Sequence, residues 1–203
     1  MFLTVSATKS CTENEKITCT FYLKVGVCRN GNNCRRLHLK PEISKTLLLR
    51  HFYVPPCGGE ASDASEHYEH FYEDVLNELS KFGEVEKFVV CDNAAFHMVM
   101  YSTKQKNQKF GNVFVKFATE RQAEKALFNL HGRYYAGQIV KAEYSPVTNF
   151  EDVSCRQFDE YTCNRGGYCS FVHWKPVPLF AHKYFRQTKR RATLRYSLKY
   201  LDY

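Results

Sequence analysis

The stretch CTFYLKVGVCRNGNNCRRLH, residues 19–38, sets three cysteines and a histidine in the order Cys19-x8-Cys28-x5-Cys34-x3-His38. A second stretch, CRQFDEYTCNRGGYCSFVH, residues 155–173, repeats it as Cys155-x7-Cys163-x5-Cys169-x3-His173. Of the nine cysteines only Cys11, Cys57 and Cys91 stand outside these sets. With nine Cys and eight His in 203 residues, chance placement gives about 0.016 copies of C-x5-C-x3-H. Two copies are therefore one motif used twice. Three thiolates and an imidazole close a tetrahedral zinc shell and leave no open position for a catalytic water. Each stretch is too short to bury a core of its own. Metal binding, on the order of 10–16 kcal/mol in finger peptides, supplies the missing stability. The alternative is a pair of disulfide loops or scattered free thiols. Against it, the opening MFLTVSATKSCTENEK is too short and polar for a secretory signal, and reduced thiols are expected in a cytosolic or nuclear compartment.

Residues 39–154 lie between the two sets, and their periodicity reads as a folded domain. TLLLRHFY, residues 46–53, is an apolar run ending at Pro55-Pro56, and reads as a buried strand. A helix follows, with Asp63-x-x-Glu66 as its expected capping pair. Tyr68, Phe71, Tyr72, Val75, Leu76 and Leu79 fall on one helical face, and Gly83 ends the element. Further strands are expected at residues 84–91, 111–117 and 138–144. Between the last two, Thr119-x-x-Gln122 opens a second helix with Ala123, Ala126, Leu127 and Leu130 inward. The order βαββαβ is the α+β, ferredoxin-like plan shared by RNA-recognition motifs. The strand that stacks bases in such motifs has Phe110, Asn112 and Phe114 at its key positions, and the first strand has Leu48. With two ring positions missing, the sheet is not expected to grip RNA.

Charge is divided along the chain. The whole carries +8, but residues 1–50 hold 9 Lys/Arg against 3 Asp/Glu and residues 60–93 hold 2 against 10. The tail, residues 175–203, holds 8 against 1 and includes FRQTKRRATLRYSLKY, suited to phosphate contact or to packing as an amphipathic helix. Between the zinc ligands, arginines alternate with rings: Phe21, Tyr22, Lys24, Arg29, Arg35 and Arg36, then Arg156, Phe158, Tyr161, Arg165, Tyr168 and Phe171. Rings stack on unpaired bases and guanidinium groups reach phosphates, so a single-stranded RNA ligand is favoured over a protein one. The outward face of the first helix, Glu66, Glu69, Glu73, Asp74 and Glu78, forms an acidic ridge. Beside Arg133-Tyr134-Tyr135 it suits a basic peptide carrying a tryptophan. No phosphate-cradling Gly-rich loop or catalytic pair is present, so no enzyme is expected, and no membrane partner is implied.

These features together resemble the small subunit of the U2 auxiliary factor (U2AF). The matching strings are CTFYLKVGVCRNGNNCRRLHLKP, HYEHFYEDVLNELSKFGEVEKFVVCDN, GNVFVKF, AEKA and AEYSPVTNFEDVSCRQFDEYTCNRGGYCSFVHWKP. The resemblance implies a finger over residues 12–42, a U2AF-homology domain over 44–147, a second finger over 148–176 and a basic segment over 177–203. It implies two zinc ions, held by Cys19, Cys28, Cys34 and His38 and by Cys155, Cys163, Cys169 and His173. It implies a nuclear splicing factor whose fingers jointly read AG at the 3′ end of introns in pre-mRNA. Phe21, Lys24, Arg29, Arg36, Arg156, Arg165 and Phe171 would contact that RNA, with Arg35 and Tyr168 added by the charge and ring pattern. The middle domain would capture a Trp-bearing peptide of the large subunit through Glu69, Glu73, Arg133, Tyr134 and Tyr135.

The chain also departs from the family. Family members read Arg-Trp-Phe at 133–135, Ser is common at 35, residues 100–110 look inserted, and an Arg-Ser tail is absent. A paralogue acting on minor-class introns and a generic CCCH mRNA-binding regulator are the competing readings. The second usually sets its fingers in tandem, without a domain between them.

Overall fold

In the computed structural model, residues 18–56, 61–93, 99–101 and 109–199 are described. The elements in order are α1 Thr20–Val25, β1 Thr46–Tyr53, α2 Ala61–Ser80, β2 Val85–Val90, β3 Val99–Tyr101, β4 Lys109–Phe117, α3 Glu120–Leu130, β5 Tyr134–Tyr135, β6 Gln138–Ile139, β7 Lys141–Tyr144, α4 Arg156–Asp159 and α5 Leu179–Lys199. The main sheet runs β2-β4-β1-β7, with β3 paired to β4. Its pairs are all antiparallel. With α2 and α3 as the two helices, this is the ferredoxin-like plan expected from the sequence.

Alternation in the strands divides the molecule into two cores. Leu47, Leu49, Val85, Phe88, Val90, Val113, Val115 and Phe117 point to one face, where α2 brings Phe71, Tyr72, Val75 and Leu79 and α3 brings Ala123, Ala126 and Leu130. Leu48, Val89, Cys91 and Phe114 point to the other face. There they meet Val25 and Val27 from the first finger, and Phe150, Val153 and Val172 from the second, with Trp174 packed alongside. Phe114 is fully buried, edge-on to Trp174 with centroids 5.8 Å apart. The face that offers rings to RNA in an RNA-recognition motif is thus covered by the fingers. The expectation of an RNA-silent sheet meets a further cause, which is coverage.

Several local expectations are refined. The helix α2 already runs at Ala61, so Asp63 and Glu66 sit inside it rather than cap it, and Asp63 lies in its first turn, where the helix dipole favours an anion. Thr119 does cap α3, its hydroxyl accepting from Gln122 N at 3.4 Å. The strand expected over 138–144 breaks at Val140. Its first two residues pair with β5 through a turn at Ala136-Gly137, both left-handed, and β7 covers the rest. At the two ends of the segment 100–110, Val99–Tyr101 pairs antiparallel with Lys109–Gly111. Residues 102–108, Cys11 and Cys57 lie outside the described residues. Cys91 is a buried thiol in the second core.

Asn112 has a positive role at the position where a stacking ring was missing. It is buried, and its Oδ1 accepts from His51 N at 2.9 Å. His51 has φ 53° at the irregularity between Leu49 and Tyr53, so Asn112 stabilises a bulge in β1. That bulge lets Phe52 and Tyr53 both join the helix-side core.

The start of the tail helix α5 packs against the central domain. Ala181 is buried and Tyr184 and Phe185 lean on the helix-side core, with Ser80 Oγ donating to Tyr184 Oη at 3.1 Å. No helix among the described residues is long and apolar enough to cross a membrane.

Replacing Phe114 by Ala removes the ring that both fingers share. The expected loss is about 3–5 kcal/mol of stability, measured by urea denaturation. The sole tryptophan, Trp174, should shift its emission to the red in the folded variant, because its packing partner is gone.

Candidate metal centres and nucleic-acid interface

The two fingers are built alike. In each, the first ligand starts a helix: Cys19 precedes α1 and its Sγ accepts from Tyr22 N at 3.4 Å, and Cys155 precedes α4. A 3-10 turn then leads to the third ligand, Gly31–Asn33 before Cys34 and Gly166–Tyr168 before Cys169. The chain returns beside its start, with Cys19 N donating to Leu37 O at 2.8 Å and Cys155 N to Val172 O at 3.0 Å. Each histidine is held by a ring from its own helix. His38 stacks on Tyr22 at 4.5 Å and His173 on Phe158 at 4.0 Å. Tyr22 and Phe158 are accordingly scaffold rings, which makes a ligand-facing role for them unnecessary.

All eight predicted ligands meet in two groups of four, with the ligand atoms of each group within 4.8 Å of one another. The Sγ atoms of Cys19 and Cys28 are 3.8 Å apart, and those of Cys155 and Cys169 3.7 Å. A zinc tetrahedron with Zn–S near 2.3 Å has an edge of about 3.8 Å. His38 Nε2 and His173 Nε2 are buried without a hydrogen-bond partner, an arrangement that is costly unless a metal takes the lone pair. Burial holds the His173 imidazole below its ordinary pKa, which keeps it neutral as a ligand must be. The Arg36 backbone amide likewise favours the Cys34 thiolate. The two Cys3His groups therefore fit two zinc ions, whose closed shells supply structure.

The second finger is fastened to the sheet by a residue that motif reading passed over. Asn93, fully buried just beyond β2, donates from Nδ2 to Phe171 O at 2.9 Å and accepts at Oδ1 from His173 N at 2.8 Å. Asp92 N donates to His173 O at 2.7 Å, and Lys175 N to Val90 O at 2.8 Å. The fourth ligand is thus positioned from the central domain. The first finger docks through Gly26, whose φ of 77° ends α1. A Cβ there would lie 2.8 Å from Ser145 Oγ and 3.2 Å from Phe114.

Between the fingers lies a cleft of about 590 Å³. Phe21 and Lys24 line it from one finger; Arg156, Gln157, Arg165 and Phe171 line it from the other. Phe21 and Phe171 meet edge to face at 6.2 Å, and Arg165 is oriented by Gln157 Oε1 at 2.8 Å. Five of the nine expected RNA-contact residues thus converge. Arg29, Arg35, Arg36 and Tyr168 are exposed on the fingers but do not line this cleft. Glu151 and Asp152 also border it, which sequence reading did not single out.

A second cavity, about 190 Å³, opens on the helix side of the sheet. Leu49, Phe52, Val75, Leu79, Leu130 and Val140 form its apolar lining. At its mouth Tyr135 Oη donates to Asp74 Oδ2 at 2.8 Å, and Arg133 reaches Glu78 Oε1 at 2.5 Å. Lys81 and Arg133 hold the Glu78 carboxyl below its usual range. Tyr134 is 73% exposed beside the opening. The expected Glu69 and Glu73 sit on the exposed face of α2, whereas Asp74 and Glu78 are the acids that border the cavity.

Comparison with known proteins bears on both sites. A family model, "Zinc finger C-x8-C-x5-C-x3-H type (and similar)", matches residues 15–40. The chain is 40% identical over 199 residues to the splicing factor U2AF 26 kDa subunit of Homo sapiens, covering 91% of this chain and 86% of the relative. The chain belongs to the U2AF small-subunit family. It is 40% identical over 195 residues to the U2af 38 kDa subunit of Drosophila melanogaster, covering 70% of that relative. It is 43% identical over 200 residues to a U2af small subunit of Arabidopsis thaliana, covering 93% of this chain but only 64% of the relative's length. These relatives are named as splicing factors, not as enzymes. A solved structure of the RNA15 RRM covers 51% of this chain at 19% identity and a TM-score of 0.30, so the fold rests on strand order and register.

Elemental analysis should return two zinc per chain, and Cys155→Ser should reduce that to one. Chelation should also red-shift Trp174 emission, because losing the metal frees the segment that buries it.

Proposed function

We propose that this U2AF small-subunit relative recognises the AG at the 3′ ends of introns in single-stranded pre-mRNA, in the nucleus, as a heterodimer with the large subunit. The cleft carries the reading. Phe21 and Lys24 face Arg156, Arg165 and Phe171 there, although the two fingers are separated by residues 39–154. Rings that meet along a cleft offer faces to one or two unpaired bases, and the cations suit the phosphates on either side. The four units at 12–42, 44–147, 148–176 and 177–203 belong to the same proposal, with the fingers as the RNA-reading units. Arg29, Arg35, Arg36 and Tyr168 then serve the flanking phosphates and bases rather than the dinucleotide.

The second cavity is assigned to a tryptophan-bearing basic peptide of the large subunit. Its apolar lining suits an indole, and Asp74 and Glu78 at the mouth suit cationic neighbours. Glu69 and Glu73 extend the acidic face along α2 and would meet the peptide's flanking charges. Tyr134, exposed beside the pocket, offers the peptide a smaller ring than the tryptophan of other members. The contact made in the reverse direction is therefore reduced.

Zinc-loaded protein with a large-subunit peptide should bind a short UUAGG RNA, and changing AG to CG should weaken binding about tenfold or more, the scale of one lost base contact. Equal affinities in fluorescence anisotropy refute the reading. In calorimetry, Asp74→Lys with Glu78→Lys should weaken the Trp peptide at least about tenfold, since opposed charges at an interface are exchanged for like ones.

A further inference from the structure

Among the described residues, three that are not glycine adopt left-handed backbone: His51, Ala136 and Tyr161. Two are explained by their surroundings. His51 forms the bulge that Asn112 holds, and Ala136 precedes Gly137 in the β5–β6 turn. Tyr161 ends α4: its N donates to Phe158 O and Thr162 N to Gln157 O, the paired bonds of a Schellman cap, whose left-handed position is usually glycine. Its φ is 58° and it is 99% exposed, so no side-chain packing accounts for a tyrosine there.

The first finger supplies an internal control. Tyr161 stands two residues before Cys163, and Gly26 stands two residues before Cys28, also left-handed. The same corner of the same module is thus glycine in one copy and tyrosine in the other. At Gly26 a side chain would strike Ser145 and Phe114; at Tyr161 the corner faces solvent, so a side chain has room. Room does not make tyrosine favourable. An L-residue in this conformation is strained where glycine is not, and the exposed ring gains nothing from burial.

The corner is nevertheless firmly held beside the cleft. Tyr161 N donates to Phe158 O at 3.0 Å, and Thr162 bonds Gln157 O through both N, at 2.7 Å, and Oγ1, at 3.2 Å. Arg156 and Gln157, in the same short helix, line the cleft. The cap sets the left-handed backbone; what it leaves without a structural reason is a fully exposed tyrosine ring, next to a helix that lines the cleft, at a position that favours glycine.

We propose that Tyr161 is a stacking platform for an unpaired base that flanks the nucleotides held in the cleft. This rests on the reading of the cleft as an RNA site and extends it outward from the second finger. The ring stacks on a base face and tolerates any base, so it adds affinity and not choice of sequence.

The test measures zinc-loaded full chain, with the large-subunit peptide, binding fluorescein-labelled RNA of nine nucleotides centred on UUAGG. Tyr161→Gly should bind about tenfold more weakly, the size of one lost base–ring stack, while its ratio of AG to CG affinity stays unchanged. Tyr161→Phe should stay within about twofold of the unaltered chain. Thermal melting should find Tyr161→Gly as stable or more so, with two zinc retained, because the strain is relieved. Abasic substitution along the RNA should reveal one flanking position at which Tyr161→Gly has no additional effect.

Tyr161→Gly binding at full strength overturns the inference, and so does weakening accompanied by lost zinc or a lower melting temperature. Absence of any abasic position that cancels the effect also overturns it. If the unaltered chain binds AG and CG RNAs alike, the cleft reading itself fails. If it discriminates and Tyr161→Gly loses nothing, only the assignment of Tyr161 fails.

Discussion

Burial of the outer sheet face beneath both fingers organises this molecule. Leu48, Val89, Cys91 and Phe114 would form an apolar face open to water in an isolated central domain. The fingers have the complementary deficiency, since each is a short loop around its metal ligands with little core of its own. Packing Val25 and Val27 on one side and Val153 and Val172 on the other removes both exposures at once. The result is a second core that belongs to three parts of the sequence.

That shared core also fixes where the two walls of the cleft stand. Phe21 and Phe171 touch across it because each finger is seated on the same sheet. Asn93 and Asp92 pin the second finger's backbone at its last ligand, and Gly26 allows the first to approach the Phe114 ring closely. A site assembled before its ligand arrives loses less conformational entropy on binding. Metal, core and cleft are in this sense one cooperative unit, in which each zinc shell keeps in place the apolar residues that fix the other finger's neighbour.

The charge asymmetry acquires a spatial meaning. The first finger, with Lys24, Arg29, Arg35 and Arg36, lies on one face of the sheet. Beside it is the second finger, whose Arg156 and Arg165 are balanced by Asp159 and Glu160, while α2 with its acids lies on the other face. Ligands of opposite charge can therefore approach without competing for one surface. Within the acidic helix only Asp74 and Glu78 border the cavity. Glu69 and Glu73 share the helix and the charge, but not the face, because they lie about 100–140° around the helix axis from the Asp74–Glu78 stripe.

What sequence alone determined follows from short-range rules. Ligand spacing identified both metal groups, since a tetrahedral shell admits few loop lengths, and the 3.6-residue period marked the buried face of α2 from Tyr68 to Leu79. Thr119 announced its helix because a cap bonds only three residues away. Tertiary structure decided what covers Phe114, why Asn112 replaces a ring, how Asn93 holds a finger, and which acids reach the pocket. None of these leaves a periodic trace, since each joins residues dozens of positions apart through one bond or one van der Waals contact. Tyr161 is hidden for another reason: its corner is a local helix cap, its ring looks like any other in the string, and only backbone geometry reveals that it occupies a position where glycine would be at ease.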